Sequence, residues 1–273
     1  MCLFSMPGTS GRGIQLALFA YVLFASAIQL AAQQESVHLT VSRTLEGMNA
    51  RTWELRAKAF EEMPNVDDVG KRSLEEADRL KKGLILLLRT ENAALKHQVA
   101  AEDVKRDRSE EYEEYYARLI GIVATLDDER AISALLAAAP TGSMATRGVA
   151  RFGSKALGPV LEQVECQDVQ LASGAVHVLR EMLKMQTASD RDSHLLIKKV
   201  LRLALAHPEF QVRLSGIGAI EYLDDRREFV PMLRDLAEHD PFKLDQPDNR
   251  GSIVGVFVVR VDAARLLRQI ADH

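Results

Sequence analysis

From Val37 onward, apolar residues return every three or four positions: Trp53, Ala57 and Phe60 form one stripe, Leu80, Leu84 and Leu87 another, and Tyr115, Leu119 and Ile122 a third. That spacing marks one face of a 3.6-residue helix, and no period-two alternation runs long enough to argue for a strand. The nearest exception is the β-branched run Ile253–Val259. Val258, Val261, Leu266 and Ile270 continue a helical spacing, so its second half reads as the start of the last helix. Breakers fall between the stripes. Pro64-Asn65 closes the second helix, and Pro140-Thr141-Gly142-Ser143 precedes a short helix near 143–153, with Thr141 or Ser143 as its cap. Asp240–Ser252, with two prolines and a glycine, reads as a loop, and the charge-dense 101–114 as a solvated linker running into a helix. The pattern predicts antiparallel helix pairs near 37–63, 72–99, 112–139, 155–183, 190–223 and 226–271. With no obvious boundary between them, they form one array in which each unit buries its apolar face on its neighbours.

Two segments echo each other. Val212-Arg213 opens VRLSGIGAIEYL, and 47 positions later Val259-Arg260 opens VRVDAARLLRQI. In this alignment Gly216 falls on Ala263, Ile217 on Ala264, Ile220 on Leu267 and Leu223 on Ile270. Small residues thus recur where helices must approach closely, and large aliphatic ones recur a turn later. Gly216 and Gly218 both read as close-contact positions. On that reading Gly218→Leu is expected to destabilise by about 1–3 kcal/mol through overpacking.

The first 32 residues stand apart, with no acidic residue and one basic one, Arg12. An uncharged apolar run, Ile14–Leu30, ends in the small residues Ala31-Ala32. This is the layout of a secretory signal peptide, cut after Ala32 or, second, after Ala27. The alternative is an uncleaved anchor over residues 13–32, long enough to span a bilayer. The reading is an exported chain, periplasmic or extracellular, with no stable membrane insertion once cleaved. Its divisions are 1–32 leader, 33–126 divergent helical repeats and 127–273 better-formed repeats. Of the two cysteines, Cys2 lies in the leader, so Cys166 has no internal disulfide partner and reads as a buried structural thiol.

Composition narrows function mainly by exclusion. Aromatics are 5% of residues, so the 47% hydrophobic content rests on Ala, Leu, Val and Ile, which suits close helix packing. The net charge of −4 is spread without a basic face, which argues against nucleic acid. No nucleophile turn, phosphate loop or zinc spacing occurs, so no catalytic, cofactor or metal residue is assigned. His177 and Glu181 share a helix face at i, i+4, more often a surface contact than half a site. Asp245, Asp248 and Asn249 have the composition of calcium ligands without an EF-hand spacing. Tyr112, Tyr115 and Tyr116 cluster beside glutamates. They read as half-buried helix packing first and as partner-binding residues second.

The motifs together resemble the HEAT and HEAT-like repeats. Pro231, Leu233, Leu236 and Asp240 match that family's first helix, and Val259-Arg260, Ala263, Leu267 and Ile270 its second. Val212, Arg213 and Ile220 repeat the second-helix pattern. Pro159, Leu161, Val164 and Asp168 supply an earlier unit, with Gln170 where arginine is expected. The resemblance covers roughly 127–273, and repeat lengths are uneven. It implies an all-α solenoid of stacked antiparallel helix pairs that presents a concave surface to a protein partner. The alternative it implies is a HEAT-like enzyme or cofactor handler akin to the bilin lyases.

Overall fold

The computed structural model describes residues 11–100, 109–247 and 253–272. The fold is all-α apart from one short hairpin among those residues. Cα packing divides the chain into two compact units, 1–83 and 84–273. The division falls inside a helix, whereas the sequence places its changes at 32/33 and 126/127.

The first unit holds α1 (Gly11–Met48), α2 (Trp53–Glu61), α3 (Val66–Arg72) and the start of α4 (Leu74–Ala100). α1 packs against α2 and α3. Its core is Val37, Val41, Met48, Phe60, Val69 and Leu80. The leader assignment lies partly outside the described residues, at 1–10. Residues 11–32 continue without a break into the packed part of α1, and Val22, Leu23, Phe24 and Ile28 are exposed. Among the described residues no helix is long and apolar enough to cross a membrane. Two expectations change here. Residues 74–100 form one uninterrupted helix: it contains no proline, and Gly83 is accommodated within the stripe of Leu80, Leu84, Leu87 and Leu88. The sequence reading also passed over α3, whose Asn65 accepts hydrogen bonds from the amides of Asp67 and Asp68. An Asn followed by two acidic residues was the legible signal for it.

The second unit continues α4 and adds α5 (Glu110–Thr125), α6 (Ile132–Ala138) and α7 (Ser143–Ala150). Then follow α8 (Ser154–Val164), α9 (Val169–Met185), α10 (Arg191–Leu205), α11 (Phe210–Ile220), α12 (Val230–His239) and α13 (Val258–Ala271). The expected pairs over 155–183, 190–223 and 226–271 are present as α8/α9, α10/α11 and α12/α13, whereas over 112–139 the helices α5 and α6 form but α5 packs chiefly on α7. Residues 101–108 of the expected linker lie outside the described residues, and Glu110 already starts α5. α8 packs on α9, α10 on α11 and α12 on α13; α7, α9, α11 and α13 also pack each on the next, and α8 packs on α10.

The loop expected over 240–252 contains two strands, β1 (Leu244–Pro247) and β2 (Ile253–Val256), antiparallel with Leu244 opposite Val256. The β-branched half of Ile253–Val259 is therefore strand, and helix begins at Val258 as expected. Neither proposed cap serves α7. Gly142 occupies that position with φ of 154°, and the Thr141 hydroxyl donates to the Ala138 carbonyl instead.

The two glycines of α11 part company. A Cβ on Gly216 would lie 3.1 Å from that of Ala204 in α10, whereas one on Gly218 would meet nothing within 4 Å. Gly218 is therefore not a point of close helix approach, and the close-contact basis for expecting overpacking from Gly218→Leu is absent. The closer approach is at Gly148 of α7, where a Cβ would come within 2.7 Å of the Ala124 Cβ in α5.

Candidate interaction surface

The motif residues divide into packing groups and polar fasteners. Val212 and Val259 are fully buried, while Pro231 sits in the first turn of α12, where its missing donor costs least. Pro159 lies inside α8, leaving the carbonyl one turn earlier without its usual donor. Asp168 caps α9, accepting from the amides of Gln170 and Leu171 at 3.1 and 3.2 Å. Cys166 is half-buried, with its thiol 3.5 Å from the Asp168 carbonyl.

The echoed arginines converge on a single aspartate. Arg213 Nε lies 2.6 Å from Asp240 Oδ2 and Nη2 3.2 Å from Oδ1, while Nη1 donates to the carbonyl of His207 at 2.7 Å. The side chains of Arg213 and Asp240 are only 8% and 1% exposed. Arg260 Nε donates to the Asp240 backbone carbonyl at 2.7 Å, its guanidinium over the Phe257 ring. The arrangement ties α11, α12 and α13 together and leaves Asp240 no free edge for a ligand. These are fasteners of the fold.

The tyrosines behave similarly. The Tyr115 hydroxyl donates to Glu91 Oε1 at 3.0 Å, that of Tyr112 to Oε2 at 3.2 Å, and that of Tyr116 to Asn92 at 2.6 Å. Glu91 is fully buried, and Asn92 in turn donates to the Ala134 carbonyl. Buried phenols and a buried carboxylate satisfy one another, locking α5 on α4. Tyr115 and Tyr116 are thereby taken off the surface. Half-buried Tyr112 and the edge of buried Tyr116 line, with Leu95 and Met144, a cleft of about 420 Å³. Of the three rings, Tyr112 is the one that is not buried.

A different polar cluster is accessible, where α7, α9 and α11 come together. Along α9, Ser173, His177, Arg180, Glu181 and Lys184 share a face. Ser215 of α11 bonds to Ser173 at 2.9 Å and His177 Nε2 at 3.1 Å, and donates to the Gln211 carbonyl at 2.9 Å. With the Ser215 proton on that carbonyl, His177 Nε2 is the donor. Just beyond α11, the Tyr222 ring lies 5.2 Å from the Arg180 guanidinium and 5.0 Å from Lys184 Nζ. Glu181 pairs with Lys184 at 2.7 Å and with Arg147 of α7 at 3.6 Å. The hydrogen bond from Lys184 holds the Glu181 carboxyl below its ordinary range against the opposing pull of burial, helped by the charges of Lys184 and Arg147. His177 is also lowered, first by packing around its ring and then by the charge of Arg180.

This cluster holds His177 and Glu181, which the sequence brought together, and adds Arg180, Lys184, Arg147 and Tyr222, which it did not single out. Nothing local relates Tyr222 to α9, since α10 lies between them. Of the proposed calcium ligands, Asp248 and Asn249 lie outside the described residues, and Asp245 sits in β1 with Lys243 Nζ 3.9 Å away. Among the described residues no three His, Cys, Asp or Glu side chains group to hold a metal ion. Neither the protein-family models nor the curated proteins contain a match to this chain.

Proposed function

We propose that this chain is an exported HEAT-like solenoid scaffold that binds another protein through the face built by α7, α9, α11 and α13. One observation carries the reading: these four helices pack each on the next, skipping the helix between them in sequence. Stacked helix pairs produce that contact pattern, and in such stacks the second helices line one continuous surface. Small buried residues at Gly148, Gly174, Gly216 and Ala263 support it, since each lets a second helix approach its neighbours closely. The outward residues of the same helices include Arg147, His177 and Lys184, with Tyr222 just beyond α11. Their polar and aromatic chemistry suits reversible recognition by a protein surface.

Site-specific photocrosslinking tests the proposal. A photoreactive side chain at Gln211 of α11 is expected to capture one partner from the exported fraction, and the same group at exposed Leu195 of α10 is expected not to. Equal capture from both positions, or from Leu195 alone, overturns the assignment of the face. N-terminal sequencing of the mature chain tests export separately. A start near Gln33 is expected, and a retained Met1 with membrane association refutes cleavage.

A further inference from the structure

On the scaffold reading, the identity of the bound segment is open to a chemical argument. We infer that the partner presents a short acidic stretch of polypeptide, whose carboxylates seat over Arg180 and Lys184 of α9 and Arg147 of α7 beside the Tyr222 ring. The inference deepens the proposed function and rests on it.

Three observations lead there. First, Arg147, Arg180 and Lys184 surround a single carboxylate, Glu181, which already pairs with two of them. No carboxylate lies within ion-pair reach of Arg180 among the described residues; its Nη2 donates to the Tyr222 hydroxyl at 3.4 Å, and its buried Nε makes no hydrogen bond. A guanidinium held against a ring and without an ion pair is prepared to meet a carboxylate at its outward Nη groups. Second, Arg180 and Lys184 crowd the same aromatic ring. Their mutual repulsion is relieved by an anion placed between them, so the empty surface stores an attraction for negative charge. Third, the polar face of α9 runs from Ser173 to Lys184. At 1.5 Å per residue that is about 16 Å, the length of roughly five extended residues.

The scale also favours a peptide over nucleic acid. A duplex carries one charge per about 1.7 Å and is bound by long cationic stripes. Here three cations are interrupted by Glu181, on a chain whose net charge is −4. His177 supplies an independent reporter. Burial and Arg180 lower its pKa, with Lys184 adding to and Glu181 opposing that effect. Ser173 and Ser215 face it as neutral hydroxyls, and Arg147 of α7 acts on the same cluster through Glu181. A bound carboxylate offsets the positive charges and moves the His177 pKa upward.

The test is fluorescence anisotropy of fluorescein-labelled hexaglutamate against the full chain at low salt. Saturable binding is expected, weakening as ionic strength rises. Arg180→Gln with Lys184→Gln is expected to weaken it about tenfold. Lys199→Gln, on the exposed side of α10, is expected to leave it unchanged, with far-UV circular dichroism the same for all three proteins. NMR titration is expected to show the His177 pKa rising when hexaglutamate is saturating. Absence of binding, equal binding of hexalysine or an oligothymidylate, or a His177 pKa that does not respond each overturns the inference. If a partner crosslinks from Gln211 but not Leu195 and its capture survives the Arg180→Gln, Lys184→Gln pair, the scaffold reading stands and the acidic segment is refuted.

Discussion

Asp240→Ala removes the carboxylate that holds Arg213 at the point where both echoed arginines converge. The side chain gives up contacts to Arg213 Nε at 2.6 Å and Nη2 at 3.2 Å, and the Phe242 amide at 3.0 Å. Because Asp240 and Arg213 are almost wholly buried, water cannot replace the lost carboxylate. Breaking a buried ion pair from one side typically destabilises by about 3–5 kcal/mol. Two features place this case near the lower end. Arg213 Nη1 keeps its bond to the His207 carbonyl, and Arg260 still finds the backbone carbonyl of residue 240. The expected loss is therefore about 3 kcal/mol. Arg213→Met keeps the apolar stem but leaves the Asp240 carboxylate with the Phe242 amide, so its loss is similar. In the double variant neither charge is stranded, and the loss should fall short of the sum of the singles by about 1–3 kcal/mol. Urea unfolding followed by circular dichroism measures the three values. Hydrogen exchange of α11–α13 amides then locates the effect within the second unit. Single losses below about 1 kcal/mol, or strict additivity, would refute the role of the pair as a buried fastener.

Gly218→Ala is expected to stabilise by up to about 1 kcal/mol, since its Cβ meets nothing within 4 Å and alanine favours the helix. Gly148→Ala is expected to destabilise by about 1–3 kcal/mol through its 2.7 Å approach to Ala124; thermal melts that move in the same direction for both would contradict the packing assignment. In the first unit, burial pushes the Glu76 carboxyl upward, but hydrogen bonds from His38 and Arg79 and their charges outweigh it and hold the pKa below 4.5. The folded value is the lower one, so this stabilisation is present above about pH 4.5 and is lost as pH falls through the folded pKa. Glu76→Gln should flatten that acid limb in a pH series of thermal midpoints, and an unchanged slope would refute it.

The helices were legible because their causes are local. Leu80, Leu84, Leu87 and Leu88 mark a buried face whatever covers it, and Asn65 and Asp168 cap helices through amides two and three residues away. The hairpin was missed because its strands are only four residues each, too short for alternation to emerge. The tyrosine cluster was visible, but its partners Glu91 and Asn92 are more than 20 positions away, so burial could not be read from α5 alone.

By itself the sequence determined that this chain is built from amphipathic helices and that Val-Arg recurs at 212 and 259. Tertiary structure alone decided what those residues meet. Positions two apart on a helix point about 200° apart, so at most one of Gly216 and Gly218 can face α10, and only packing chooses which. Arg213 and Arg260 look like equivalent copies in sequence, yet one takes the side chain of Asp240 and the other its carbonyl. Arg180 and Tyr222 become neighbours only because α9 lies against α11. Periodicity is a property of one segment and its own backbone. Convergence depends on which segment lies opposite, and that is settled by burial summed over the whole unit.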